Sequence, residues 1–142
     1  MTGRFRGSGQ WIDQKAESPY TIECTIIEGP QHAMVQTVTR LFPIPEGTTV
    51  YGQANGVYEE RSTVTFVPAG KNRFRVTVES AKGSVQGTGY YFGGQCHYEL
   101  EISPAVHVEV TVTVGPERMD GIGSSTNNGN FTSWLETLQR QP

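Results

Sequence analysis

The sequence has few of the residues that mark most catalytic, metal-binding or nucleic-acid-binding chains. Its 142 residues include 2 cysteines and 3 histidines, and charged residues make up 18% of the chain, below the usual share of about 25%. The net charge of −3 comes without a cluster of Lys and Arg, so the sequence predicts no surface that could neutralise nucleic-acid phosphates. Nucleic acid is therefore not a predicted partner.

Long hydrophobic runs are also lacking. No apolar stretch approaches the roughly 18 residues of a membrane span, and residues 1–10 contain no apolar segment typical of a secretion signal. We therefore expect a cytoplasmic protein without a membrane partner. In that reducing compartment Cys24 and Cys96 would stay as thiols, and each lies in an alternating pattern typical of a strand.

The familiar catalytic motifs are missing as well. The sequence has no nucleophile elbow, Walker loop, His-Glu-x-x-His or Cys-x-x-Cys motif. The glycine pairs at 7–9 and 121–123 are not followed by the predicted helix that a phosphate cradle requires. Any catalytic function would have to rest on isolated side chains.

Glycine, in contrast, is abundant, with 17 residues against a usual share of about 7%. Turn-forming residues separate short runs rich in β-branched and aromatic residues, which predicts a sandwich or barrel. The predicted strands are Phe5–Asp13, Tyr20–Glu28, Ala33–Phe42, Thr48–Ala54, Val57–Val67, Arg73–Glu79, Ser84–Phe92, Cys96–Ile102, Val106–Val114 and Arg118–Gly123.

The connections between these runs are short. Asn55-Gly56 is typical of a two-residue hairpin turn, because both central residues of that turn need positive φ. Connections of this length leave no room for helical crossovers, so successive strands should pair antiparallel as a meander. We expect one all-β domain over residues 1–142, an eight- to ten-stranded barrel.

Alternation assigns each strand an apolar and a polar face. Val106–Val114 shows it most clearly, with valine at every second position. The faces of three other strands are mixed, and if these point inward the interior is polar at one end and apolar at the other. They comprise Met34, Gln36, Val38, Arg40 and Phe42; Tyr58, Glu60, Ser62, Val64 and Phe66; and Ser84, Gln86, Thr88, Tyr90 and Phe92.

The last segment, about residues 130–140, predicts a short amphipathic helix. Thr132 or Ser133 could cap it, and Glu136 stands in the capping-box position relative to Ser133. Four apolar residues fall on one stripe at helical spacing: Phe131, Trp134, Leu135 and Leu138. Residues 121–129 before it are low in complexity and predict a mobile loop.

The opening Phe5–Trp11 segment resembles the first strand of calycin barrels, the group of lipocalins, fatty-acid-binding proteins and nitrobindins. Its Gly9-Gln10-Trp11 matches the Gly-x-Trp of that group, which implies that Trp11 plugs one barrel end and that Arg118 packs across it. The chain lacks the helix-turn-helix of fatty-acid-binding proteins and the signal and paired cysteines of secreted lipocalins. The resemblance is therefore to a cytoplasmic, nitrobindin-style barrel.

Histidines offer the first test for a metal or haem. His97 and His107 lie on adjacent predicted strands beside glutamates and could bind a divalent ion, but a solvated face with cross-strand charge pairs gives the same pattern. His32 lies in a predicted turn. A haem-bound barrel would need a histidine near the pocket mouth, which alternation does not supply. No metal or cofactor is predicted, and haem is kept as an alternative.

The mixed faces yield the candidate pocket. It comprises Gln36, Arg40, Tyr58, Glu60, Tyr90 and Tyr98, and it predicts a barrel that binds a small hydrophobic or amphipathic molecule. In a second interpretation Glu60 is a general base in an isomerase, cyclase or other proton-transfer enzyme, although Arg40 could instead neutralise it. In a third interpretation, side chains fill the interior and the barrel serves as a structural or dimerisation unit, which would form a homodimer.

Overall fold

A computed structural model describes residues 2–49 and 56–142. Within these residues the chain forms ten strands and one short 3-10 turn at Pro30–His32. The strands are β1 Gly3–Ile12, β2 Glu17–Glu28, β3 Met34–Pro43, β4 Val57–Pro68, β5 Arg73–Ser80, β6 Gly83–Phe92, β7 Gln95–Ser103, β8 Val106–Val114, β9 Arg118–Asn127 and β10 Asn130–Arg140.

The strands close into a single antiparallel barrel. Each strand pairs with its neighbours in sequence, and β1 pairs with β10 to complete the ring. This confirms the all-β meander predicted from the short connections. The predicted strand at Thr48–Ala54 and the Asn55-Gly56 turn fall largely on residues 50–55, outside the described residues. Since β3 pairs directly with β4, residues 44–56 connect two neighbouring strands.

The predicted C-terminal helix and the mobile loop before it are wrong. Residues 118–127 and 130–140 form a hairpin of two full strands, β9 and β10. Trp134 and Leu138 are four residues apart, which places them on one face of a strand as well as on one face of a helix. Phe131 and Leu135 are instead 51% and 48% exposed. Pairing of β10 with both β9 and β1 satisfies its backbone groups, and this outweighs a local capping signal.

The core lies inside the barrel in two clusters of buried side chains. One gathers around Phe5, Tyr20, Ile22, Cys24 and Leu138, and the other around Val64, Val76, Tyr98, Leu100 and Val108. The inward faces predicted for β3, β4 and β8 agree with this burial.

The two faces of strand β6 are reversed relative to the prediction, so the face expected to point inward points outward. Its inward positions are occupied by Val85, Gly87 and Gly89, and a Cβ atom at Gly89 would lie 2.6 Å from the Phe74 ring. The backbone carbonyl of His97 and the Phe74 ring leave room only for glycine at this position. Glycines give a strand face no hydrophobic signal, so the sequence of β6 favours the opposite, polar face as the inward one.

Candidate functional site

The barrel interior contains a cavity of about 340 Å³. Most of its wall is apolar, and it reaches the surface beside the β5–β6 turn and the first half of β4, where Arg61 and Lys82 line it. The apolar wall includes Ile22, Val38, Val64, Leu100, Val108 and Met119. Small-molecule pockets in proteins are usually roughly 300–1,000 Å³ in volume, so this one suits a small ligand.

A connected set of polar side chains crosses the cavity. Arg40 Nε on β3 donates a hydrogen bond to Glu136 Oε1 on β10 at 2.6 Å, and the Tyr20 hydroxyl donates to the same oxygen at 2.8 Å. The Arg40 guanidinium also lies 3.7 Å from Glu60 Oε1. We call Tyr20, Arg40, Glu60 and Glu136 the polar cluster.

Glycine on β1 makes room for this cluster. The polar cluster joins β3 to β10 across the inner face of β1, where Gly9 is opposite both Tyr20 and Glu136 in the strand register. A Cβ atom at Gly9 would lie 2.6 Å from the Tyr20 hydroxyl oxygen. The side-chain-free position therefore permits the Tyr20 hydroxyl to reach Glu136.

The side chains of the polar cluster become more exposed toward the mouth of the cavity. The side chains of Glu136, Arg40 and Glu60 are 10%, 20% and 39% exposed. Burial alone would lower the pKa of Arg40, but the charge and hydrogen bond of Glu136 raise it above its ordinary value. Burial, reinforced by the Glu136 charge, also raises the pKa of Tyr20. Arg40 therefore stays a cation and Tyr20 a neutral donor at neutral pH.

Three further polar groups lie on the cavity wall. Gln36 Nε2 donates a hydrogen bond to Cys24 Sγ at 3.0 Å, and burial raises the pKa of the Cys24 thiol to about 11. Tyr98 is 8% exposed, and burial raises the pKa of its phenol. No hydrogen bond from the described residues reaches the Tyr98 hydroxyl, which leaves it as a neutral donor for a bound molecule.

The structure brings together five of the six predicted pocket residues. Gln36, Arg40, Tyr58, Glu60 and Tyr98 all line the cavity. Tyr90 does not, which corrects the expectation from its strand: with the parity of β6 reversed, its ring is 48% exposed on the outer surface and lies 5.3 Å from the His97 ring.

Glu136 is the residue that sequence reasoning missed. The sequence pattern places it in the capping box of a helix, whereas on β10 it lies between the inward-facing Trp134 and Leu138. Trp134, Glu136 and Leu138 alternate along one strand face, and this alternation is the signal for an inward Glu136. The charged residue between two apolar ones makes the face look mixed and hides the pattern.

The expected pairing of Trp11 with Arg118 is not formed. Trp11 stacks on Trp134 with ring centroids 5.2 Å apart and planes inclined by 6°, and it packs against the first core cluster. Arg118 is at the start of β9, near the opposite barrel end from Trp11, where it binds Asp120 at 2.9 Å. Arg140 does lie over an aromatic ring, 4.8 Å from the Phe5 centroid.

The histidines lie outside the cavity. His97 and His107 are on the outer face, 3.6 and 3.3 Å from Glu99 and Glu109 respectively, and no histidine is among the described cavity-lining residues. Donor atoms of Glu99, His107 and Glu109 lie within 4.8 Å of one another. These side chains are exposed or half-buried, and each His–Glu contact joins residues two positions apart on one strand. Across the two strands, Glu99 lies opposite Glu109.

The fold and cavity define the class of protein as a closed, ten-stranded antiparallel barrel with a partly polar interior. No helix in residues 2–49 and 56–142 has the length and apolar character required to cross a bilayer. Neither a protein-family profile nor a curated protein matches the sequence.

Among solved structures, the chain is similar to the crystal structure of Rv2717c from M. tuberculosis. The two share a TM-score of 0.70 and 12% sequence identity, over 99% of this chain and 92% of that chain. At this identity the likeness establishes the fold alone.

Proposed function

We propose that this chain is a calycin-like barrel that binds a small, partly apolar molecule in its cavity. The observation that carries the proposal is a mainly apolar cavity that reaches the surface and has polar side chains on its wall, among them the ion pair of Arg40 and Glu136. Preformed apolar pockets with a few convergent polar groups are how proteins usually hold small ligands. A barrel built only for structure would fill this space with side chains.

The first test is native mass spectrometry of the freshly purified protein, compared with its denatured mass. A non-covalent adduct that disappears on denaturation would support the proposal and give the ligand mass. The second test adds prodan, a neutral dye whose emission rises in apolar surroundings, and measures its affinity.

A matched pair of variants links dye binding to the cavity. Val110 lines the cavity, whereas Thr111 beside it on β8 has the opposite parity and does not line it. We expect Val110→Trp to weaken prodan binding at least tenfold by occupying the cavity, and Thr111→Trp to leave it nearly unchanged. Equal effects of the two variants, or no prodan binding by the parent chain, would contradict the proposal.

The role of Glu60 as a general base stays a prediction. Glu60 is at the mouth of the cavity and its carboxylate is 3.7 Å from the Arg40 guanidinium, so the ion pair expected as the alternative is present. If the chain is an enzyme, Glu60→Gln should lose turnover while a neutral ligand such as prodan still binds.

A further inference from the structure

We propose that the cavity selects amphipathic ligands with a positively charged amine head group over carboxylates of the same chain length. This inference rests on the proposed ligand-binding function and adds the chemical class of the ligand. It comes from the balance of charge within the polar cluster and from the position of its most accessible carboxylate.

The polar cluster contains two carboxylates and one guanidinium, so its formal charge is negative. Glu136 occupies Arg40 Nε at 2.6 Å, and Glu60 lies 3.7 Å from Arg40 Nη1. An incoming carboxylate would have to compete with both glutamates for the same cation. It would also lie beside two like charges in a site that is largely removed from water, where such repulsion is weakly screened.

Glu60 is the acceptor best placed for a ligand. Its contact with Arg40 is long for a hydrogen bond, and its side chain keeps 39% of its surface exposed at the mouth of the cavity. Its carboxylate therefore has lone pairs available. An ammonium group has three donors and no acceptor, so it can bind Glu60 while its chain enters the apolar wall beyond.

The charges at the rim do not reverse this preference. Arg61 donates to Glu59, so these two rim residues form a neutral pair. Lys82 is exposed on the β5–β6 turn, where water and salt screen its charge. Arg40 neutralises Glu136 at 2.6 Å, so the uncompensated charge of the polar cluster is that of Glu60.

Three amphiphiles that differ only in the head group test the proposal: decylamine, decanol and decanoate. Each competes with bound prodan at neutral pH, below its aggregation concentration, and native mass spectrometry counts the bound molecules. We expect decylamine to bind at least tenfold tighter than decanoate, with decanol between them. Decanoate binding as tightly as decylamine would overturn the inference.

Two neighbouring variants locate the effect. Glu60→Gln removes the proposed acceptor charge, and we expect it to reduce the ratio of decylamine to decanoate affinity at least threefold while decanol affinity stays within twofold. Glu59→Gln removes an equal charge from the rim pair and should leave the ratio unchanged. An unchanged ratio in Glu60→Gln would also overturn the inference. If none of the three amphiphiles binds and prodan does not bind either, it is the ligand-binding function itself that fails.

Discussion

Arg40 and Glu136 form a 2.6 Å ion pair across the barrel interior, although 96 positions separate them in the chain. They lie on β3 and β10, which are not neighbours in the sheet. The pair therefore joins two strands that β1 and β2 separate in the ring, and it places one cation and one carboxylate on the cavity wall.

Loss of the Glu136 charge should destabilise the fold. Glu136→Gln keeps the shape of the side chain and an acceptor for Tyr20, but it leaves Arg40 half-buried with only the longer contact to Glu60. We expect the free energy of unfolding to fall by about 2 kcal/mol, since a buried charge that loses its partner is costly. Urea unfolding followed by circular dichroism measures it.

The exposed pair of Arg6 and Glu23 provides the control. Its side chains are 59% and 56% exposed, so Glu23→Gln should change the free energy of unfolding by less than about 0.5 kcal/mol. Equal effects of Glu23→Gln and Glu136→Gln would show that the interior pair has no special role in stability.

Gly9 should tolerate no side chain. Gly9→Ala places a methyl group against the Tyr20 ring and hydroxyl, so the ring must move and its hydrogen bond to Glu136 must lengthen or break. We expect a loss of about 1–3 kcal/mol in stability, typical of overpacking. Thermal unfolding measures the loss.

Gly115→Ala is the control for Gly9→Ala. A Cβ atom at Gly115 would meet its nearest neighbour, the Arg118 carbonyl oxygen, at 3.4 Å, which is ordinary contact. A Gly9→Ala protein as stable as Gly115→Ala would mean that Tyr20 is not held by this close approach.

Stability should fall as the pH rises from about 9 to about 11. Burial raises the pKa of the Cys24 thiol from 9.0 to about 11, so in this range the folded chain keeps a proton that the unfolded chain has lost. Stability then decreases with rising pH, by up to about 3 kcal/mol for a shift of this size. Urea midpoints measured across the range test this.

Cys24→Ala isolates the contribution of that thiol. The variant loses packing at every pH, but the slope of its stability between about pH 9 and 11 should be shallower than that of the parent chain. Cys96, whose pKa burial also raises to about 11, still contributes to the remaining slope, as do Tyr20 and Tyr98, whose pKa values burial raises as well. Identical slopes would mean that Cys24 titrates alike in the folded and unfolded chains.

The two tryptophans of the chain should report barrel closure. Trp11 on β1 and Trp134 on β10 are directly opposite in the strand register and stack at 5.2 Å, close enough for their excited states to couple. We expect a coupled pair of bands in the circular dichroism of the indole absorption. Trp11→Phe and Trp134→Phe should each abolish it, and its survival in either variant would contradict the stacking.

The sequence predicts most of the sheet because its strands alternate and its turns are short. Valine at every second position of β8 determines both the strand and its inward face. The inward faces of β3 and β4 could also be predicted, even though Gln36, Arg40 and Glu60 interrupt them, because the apolar residues at both ends of each strand agree in parity.

Prediction failed where the interior required glycine or charge. On β6, the inward positions Gly87 and Gly89 have no room for a side chain, because backbone carbonyls of β7 together with Leu100 and Phe74 occupy the space. Glycines show no apolar pattern, so the alternation favours Tyr90 as the inward residue. On β10, Glu136 faces inward because Arg40 is there to receive it. That partner is on a distant strand, so a local pattern could not reveal it.

The pairing of β1 with β10 also governs how the barrel forms. All other strand pairs in the described chain join neighbours in sequence, through short connections with a small entropic cost, whereas this pair must bring together residues 121 to 135 positions apart. Its closure costs roughly 3 kcal/mol more in chain entropy than a five-residue turn. Glu136 contacts Arg40, and Trp134 contacts Trp11, only after β1 and β10 have paired. We therefore expect ligand binding to arise in the last step of folding, and a bound ligand to slow the first step of unfolding.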